Sequence, residues 1–491
     1  MNVRLEEKIL SQCNRSNGER AVWWRGAWWS RKVLADLAAQ YETRLRESGF
    51  KEGNRVAVLM PNCPAFLALM IAVWKAGGTM TPLNLQAGLA PTMETLVHSD
   101  VSAVFVPQGM DQITQGLAAS GLPAVAVVLD GPLPSFQSRT CERSDPEIAV
   151  LFYTSGTTGS PKGVPITHSN LYDNVTKSIF HFKDLESDDI FINVLPNFHT
   201  LGFTTSGLLP LLGGYPQAIM PTFMPPESAI ECIKAAEVTV MIAVPTMVAL
   251  MLGAIARGVM PPSSLRLLVT GGDRFPARLD ARTKQLLGVS VLEGYGLTET
   301  SPVVSINESV ARRKLGTVGT VLEGYDVEVR DTEGELLPLG AEGTLWVKGP
   351  SVFKGYFKAP ELTREKIKGD WFNTGDVVKI DEEGYLTILD RVTDIIIVGG
   401  FNVYPTEIEG VLQQMPGVRE CAVVGVEHPV SGEIVKAYIT PSGEPKVTAR
   451  DVISFSKEHL AHYKIPRIVE FIDEMPRSSI GKILKRELRK N

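Results

Sequence analysis

Over the first two-thirds of the chain, short and uninterrupted apolar runs alternate with longer stretches of helical spacing. Residues 56–60, 101–106, 125–129, 148–153, 190–195, 238–244, 265–270 and 289–292 read as buried strands. Residues 65–75, 227–236 and 247–256 read as helices, the first apolar all round and closed by Lys75 and Gly77-Gly78. Strands that are apolar on both faces need cover on both sides, which predicts an α/β architecture with sheets between helices. After about residue 315, Gly, Glu and Asp turns recur every several residues around 344–347 and 385–389, the texture of a compact β-rich subdomain. From about residue 395 a second unit begins, with helices over 406–414 and 449–459 and strands over 421–426 and 433–439.

Length agrees with this division. At 491 residues the chain exceeds what one core fills, so a large domain (1–391) and a smaller one (392–491) are expected. A net charge of −6 argues against a nucleic-acid partner. Five scattered cysteines without a CxxC pair fit a reduced, cytoplasmic protein. No apolar run reaches the length of a membrane span, and the charged N-terminus does not read as a signal peptide. Peripheral membrane contact, and the choice between monomer and homodimer, stay open.

The chemistry starts where the strand 148–153 runs into Thr154-Ser155-Gly156-Thr157-Thr158-Gly159-Ser160-Pro161-Lys162-Gly163. Glycines let backbone N–H groups turn toward an anion, hydroxyls add donors, and Lys162 adds a point charge, which together make a phosphate cradle. It is not a Walker A loop, because Pro161 stands where glycine should precede the lysine.

This run resembles the phosphate loop of the adenylate-forming superfamily of acyl-CoA synthetases, peptide-synthetase adenylation domains and luciferases. Further segments are similar to the family's motifs and appear in family order. They are Gly294-Tyr295-Gly296-Leu297-Thr298-Glu299-Thr300, Thr374-Gly375-Asp376, Asp390-Arg391, the loop from Ile395 through Gly399-Gly400 to Pro405, and Ser479-Ile480-Gly481-Lys482. The resemblance implies an enzyme that activates a carboxylic acid with ATP. Thr154, Ser155, Gly156, Thr157, Thr158 and Lys162 would hold the β- and γ-phosphates. Glu299 would ligate Mg2+, and Thr298 would face the α-phosphate. Tyr295 would stack on adenine beside Gly272, Asp273, Gly294 and Gly296. Asp376 would take the ribose, and Arg391 would be a second nucleotide contact. Lys482 would clamp charge between carboxylate and α-phosphate. A small mobile C-terminal domain would then swing, and Gly399 and Gly400 would line a thiol tunnel. Thr393 stands where relatives often carry a charged hinge residue.

For the acid, His199 in Pro196-Asn197-Phe198-His199 takes the place of the Asp that anchors amino acids in peptide-synthetase domains, so an α-amino acid is disfavoured. His199, Phe203, Val244 and Gly296 are the expected acyl pocket, without fixed charge, which favours an apolar acid. The hinge region looks closest to bacterial medium- and long-chain acyl-CoA synthetases, so a fatty acid and coenzyme A are the expected substrates. An acyl carrier protein as acceptor, an aryl acid, and a luciferase-like oxygenase are the alternatives.

Overall fold

The computed structural model describes residues 3–15, 19–154, 162–428, 432–477 and 482–489. Two sheets of the large domain are parallel through their centres. One has six strands, in the spatial order Ala124–Val127, Ala103–Pro107, Arg55–Val58, Thr79–Pro82, Ile148–Thr154 and Lys162–Thr167. The other has nine, running from Thr320–Val321 through Val303–Ile306, Val291–Gly296, Leu267–Thr270, Val240–Ala243, Phe191–Asn193, Gln217–Ile219 and Arg20–Trp24 to Ala27–Ser30. The helix Pro64–Lys75 is buried along nearly its whole length, starts on a proline and is the centre of the main core.

A five-stranded antiparallel sheet built on Gly343–Lys348 and Trp371–Ile380 forms the β-rich subdomain and ends with Leu386–Arg391. The next sheet, of five strands, begins at Ile396–Val398 and has its own core around Ile396, Ile408, Val423 and Ile439. The mixed α/β class and the large-plus-small organisation are thus as the patterning predicts. Among the described residues no helix is long and apolar enough to cross a membrane.

The apolar pattern marks no element before residue 56, yet the first strands and helices there are integral. Arg31–Glu47 is capped by Ser30, whose hydroxyl accepts from Val33 N–H, and it buries Leu34, Leu37, Ala38, Tyr41 and Leu45 along one stripe. The strand Arg20–Trp24 extends the nine-stranded sheet beside Gln217–Ile219 and carries Ala27–Ser30 at the edge, so an N-terminal hairpin completes a sheet whose remaining strands all lie beyond residue 190.

Candidate active site

Four neighbouring parallel strands of the nine-stranded sheet end side by side. Phe191–Asn193 pairs with Val240–Ala243, that strand with Leu267–Thr270, and that with Val291–Gly296. Ligands of α/β sheets bind beyond the carboxyl ends of such strands. The segments at those ends are Leu195 to His199, Val244, Gly271-Gly272-Asp273 and Gly294-Tyr295-Gly296. Gly296 is dictated by space and Gly272 by its backbone conformation. A Cβ on Gly296 would stand 1.9 Å from the Pro302 carbonyl oxygen. One on Gly272 would meet Val244 at 3.7 Å and Leu201 at 3.8 Å. Gly272 also has φ +83°, the left-handed region.

The segment leading to His199 is held by Asn62, whose amide donates to Leu195 O at 2.7 Å and whose carbonyl accepts from Asn197 N–H at 2.9 Å. A π-helix, Gly202–Leu208, comes next. Within it the Phe203 ring packs in the core against Phe66, Trp74 and Phe152, leaving 1% of the residue exposed. Phe203 is thus a core side chain and not an open pocket wall. Leu201 is the side chain that faces Gly271 and Gly272.

On the side expected to take the nucleotide, Thr154 and Lys162 stand opposite each other in an antiparallel pair. The expected phosphate contacts Ser155, Gly156, Thr157 and Thr158 lie outside the described residues. The pair is fixed from behind, since Gly163 accepts from Phe357 N–H at 2.8 Å. Glu299 has its backbone carbonyl bonded by Phe353 N–H and its carboxylate by the Tyr356 hydroxyl at 2.8 Å. Burial and the adjacent Glu299 carboxylate push the Tyr356 phenol far up, so it stays a donor. Thr298 begins the same single turn, Thr298–Thr300.

Asp376, 3% exposed, accepts from the Tyr295 hydroxyl at 2.5 Å and pairs with Arg391 Nε at 2.9 Å. Each carboxylate oxygen keeps a second lone pair for a further donor. Tyr295 is thereby tethered at its hydroxyl, and its phenol is held far above its ordinary value by burial and by Asp376. Asp273 is exposed and its carboxylate caps Arg274 N–H at 2.8 Å, the geometry of a strand-ending turn. Gly399 and Gly400 make the two-residue turn between Ile396–Val398 and Phe401–Val403, both at positive φ. A Cβ on either would meet nothing within 4 Å, so in this arrangement of the domains the pair is an open turn.

The small domain reaches the site. Lys482 lies close enough to His199 for its ammonium to depress the imidazole, after burial as the larger cause, to about 4. Leu201 N–H donates to His199 Nδ1 at 3.3 Å, which leaves the ring proton on Nε2. His199 is therefore a neutral donor at physiological pH. Contacts across the domains include Arg274 to Thr406 O at 3.0 Å and the Tyr404 hydroxyl to Glu342 at 3.2 Å.

A second buried imidazole shares this depression. His168 is fully buried, and burial followed by the Arg4 guanidinium lowers it to about 3. Glu6 lies 3.8 Å away but is already paired with Arg4 at 2.9 Å. Both folded values lie below the ordinary 6.5, so the unfolded chain takes up protons first as pH falls. The stabilising contribution is whole above about pH 6.5 and drains away toward pH 4 for His199 and pH 3 for His168, roughly 2 kcal/mol each by pH 5. His168→Gln should flatten the dependence of unfolding free energy on pH between 6.5 and 4 by about one proton. Equal slopes for both proteins in denaturant titrations would contradict this.

The geometry has counterparts among known proteins. The AMP-binding enzyme family matches residues 9–357, and the AMP-binding enzyme C-terminal domain matches residues 407–482. The chain belongs to the AMP-binding enzyme family. It is 34% identical to a feruloyl-CoA synthase of Amycolatopsis over 93% of this chain and 92% of that protein. It is 33% identical to a long-chain-fatty-acid–CoA ligase of Yersinia pestis over 90% and 86%. Among solved structures, ATP-bound MatB from Rhodopseudomonas palustris superimposes with a TM-score of 0.90 at 31% identity, covering 100% of this chain and 99% of that one. Its apo form gives 0.81 over the same coverage, so the chain as a whole superimposes better on the ATP-bound structure. The enzyme class expected from the sequence, an AMP-forming CoA ligase, is that of these relatives.

Sequence reasoning misses Tyr356 and Arg274, and reaches Leu201 only as one member of the apolar stretch 201–205 next to His199. Leu201 sits in an apolar segment with nothing to set it apart from its neighbours. Tyr356 and Arg274 carry no local signal, because their partners Glu299 and Thr406 are remote in sequence.

Proposed function

We propose that this enzyme joins an apolar monocarboxylic acid, in the first reading a fatty acid, to coenzyme A. In the first step the carboxylate oxygen bonds to the α-phosphorus of ATP, and the bond from that phosphorus to the β-bridging oxygen breaks to release pyrophosphate. In the second the thiol sulfur bonds to the acyl carbon, AMP leaves, and the thiol proton passes to solvent. The observation that carries the acid class is the lining at the strand ends. Leu201 and Val244 face the side-chain-free Gly271 and Gly272, beside a neutral His199. A charged or strongly polar tail would meet no compensating ion among these residues. The likeness to a feruloyl-CoA synthase favours a second reading, an aryl acid of similar polarity.

In this reading the nucleotide roles are those that the resemblance implies. Thr154 and Lys162, with Ser155, Gly156, Thr157 and Thr158, hold the outer phosphates. Asp376 takes the ribose hydroxyls, with Arg391 beside it. Tyr295 offers its ring to adenine next to Gly272 and Gly294, and Thr298 faces the α-phosphate. Lys482 sits between the acid and that phosphate. For Mg2+, the described residues contain no cluster of three or more His, Cys, Asp or Glu ligands. Mg2+ on nucleotides usually takes one or two carboxylates and fills its octahedron with phosphates and water, so Glu299 alone suits it. When bound, the ion neutralises phosphate charge; Glu299, oriented by Tyr356, would hold it. Mobility of the small domain would turn on the interval between Arg391, where one sheet ends, and Ile396, where the next begins. Gly399 and Gly400 would come to the thiol only after such a turn.

The test is pyrophosphate release from a panel of acids, with and without coenzyme A. Fatty or hydroxycinnamic acids should be converted to thioesters, and short dicarboxylic or α-amino acids should not. Thioester formed only with a phosphopantetheinylated carrier protein would replace coenzyme A as acceptor. Preference for a dicarboxylate would overturn the apolar pocket.

A further inference from the structure

The residues directly after Lys482 are tied down by contacts that the reaction itself does not require. Ile483 bridges Arg477 in an antiparallel pair, and Leu484 N–H donates to Pro476 O at 2.8 Å. Lys485 then reaches into the small domain and pairs with Glu409 at 2.9 Å, both side chains largely buried. The Glu409 carboxylate also accepts from Val423 N–H at 2.7 Å, on an edge strand of the small-domain sheet. Leu488, 3% exposed, packs with Ala422, Val424, Tyr438 and Met475, and its carbonyl accepts from the Tyr438 hydroxyl.

The same tail is bound to the segment that joins the domains. Arg489 pairs with Asp394 at 2.8 Å. Lys485 feels Asp390 and Asp394 besides Glu409, and these carboxylates hold its ammonium charged against the opposing effect of burial. Asp390 accepts from Arg391 N–H at 2.8 Å and from Thr406 N–H at 3.0 Å, at the start of the helix that carries Glu409. A surface ion pair would contribute little, and one buried at this depth is weak evidence of stability. What it does supply is geometry, because neither partner can shift without stranding the other's charge.

We infer that Lys485, through its buried pair with Glu409, is the positioning residue that sets where Lys482 stands in the active site. A lysine on a four-carbon stem reaches the reacting phosphate productively only if its backbone is fixed, and a misplacement of about 1 Å can cost roughly a hundredfold in rate. This rests on the proposed role of Lys482 in adenylation, and it predicts damage confined to that half-reaction.

The experiment uses the full chain and reads each half-reaction separately: acid-dependent exchange between pyrophosphate and ATP for adenylation, and thioester formation from prepared acyl-adenylate and coenzyme A. Lys485→Met should lower exchange about 30- to 100-fold, with the KM for ATP changed less than about threefold. Thioester formation should stay within about threefold of wild type, and Lys485→Arg should recover most of the exchange. Should Lys485→Met not fold, the double variant Glu409→Gln/Lys485→Gln leaves no stranded charge and should give the same split. Parallel losses in both half-reactions, or wild-type exchange in either variant, would overturn the inference. Lys482→Ala run alongside separates the two claims. If it leaves exchange intact, the assigned role of Lys482 fails. If it silences exchange while Lys485→Met does not, only the positioning role fails.

Discussion

Lys482→Ala should lose acyl-adenylate formation by at least about two to three orders of magnitude while ATP still binds, the size seen when one preorganised transition-state donor is removed. Both reactants are anions, and negative charge grows on the phosphate oxygens as the carboxylate approaches. An ammonium placed between them is worth more in the transition state than in the bound ground state, so its loss falls on kcat. ATP binding should persist because Thr154, Lys162, Tyr295, Asp376 and Arg391 all belong to the large domain. Lys482→Arg should not restore the rate, since a planar guanidinium replaces a compact charge. The measurements are pyrophosphate exchange and ATP affinity by calorimetry. Unchanged exchange would remove Lys482 from the mechanism; lost ATP affinity would recast it as a binding residue.

How far the chain's own pattern reveals these features differs by feature. The buried strands can be read because apolar residues on both faces leave little alternative, and the observed Val240–Ala243 and Leu267–Thr270 fall inside the expected intervals 238–244 and 265–270. The expected helix 449–459 coincides with Ala449–His459, whose cap Thr448 and Asp451 form a reciprocal box. Residues near the site are harder. Phe203 lies four residues from His199, yet its ring packs into the core, which nothing in the local sequence announces. Leu201, just before the π-helix Gly202–Leu208, stands beside the glycines. Asp376 can be placed near nucleotide by resemblance, but its bond from Tyr295 joins two sheets and has no local trace. Lys485 looks like one charge in a basic tail, and only the fold supplies Glu409.

Gly296→Ala should cost both stability and activity, and the two losses have one origin. An added methyl carbon would sit 1.9 Å from the Pro302 carbonyl oxygen, 2.6 Å from its carbon and 3.0 Å from Val303 Cα, all backbone atoms. None of these can rotate aside as a side chain could, so the strand Val291–Gly296 or its partner Val303–Ile306 must move. Their pairing already shifts register between Tyr295 and Gly296, and Thr298 and Glu299 come within one turn of it. Overpacking of this kind costs about 1–3 kcal/mol, read as a lower denaturation midpoint with an unchanged denaturant slope. The displacement also carries Tyr295 away from Asp376, and Glu299 away from Tyr356, so adenylation should fall about a hundredfold even at temperatures where the variant is fully folded. Gly399→Ala is the matched control. That glycine has φ +58° but open space around it, so backbone strain alone should cost about 1 kcal/mol and leave adenylation near wild type. A Gly296→Ala enzyme with wild-type exchange would mean that the strand pair yields without disturbing the residues it presents.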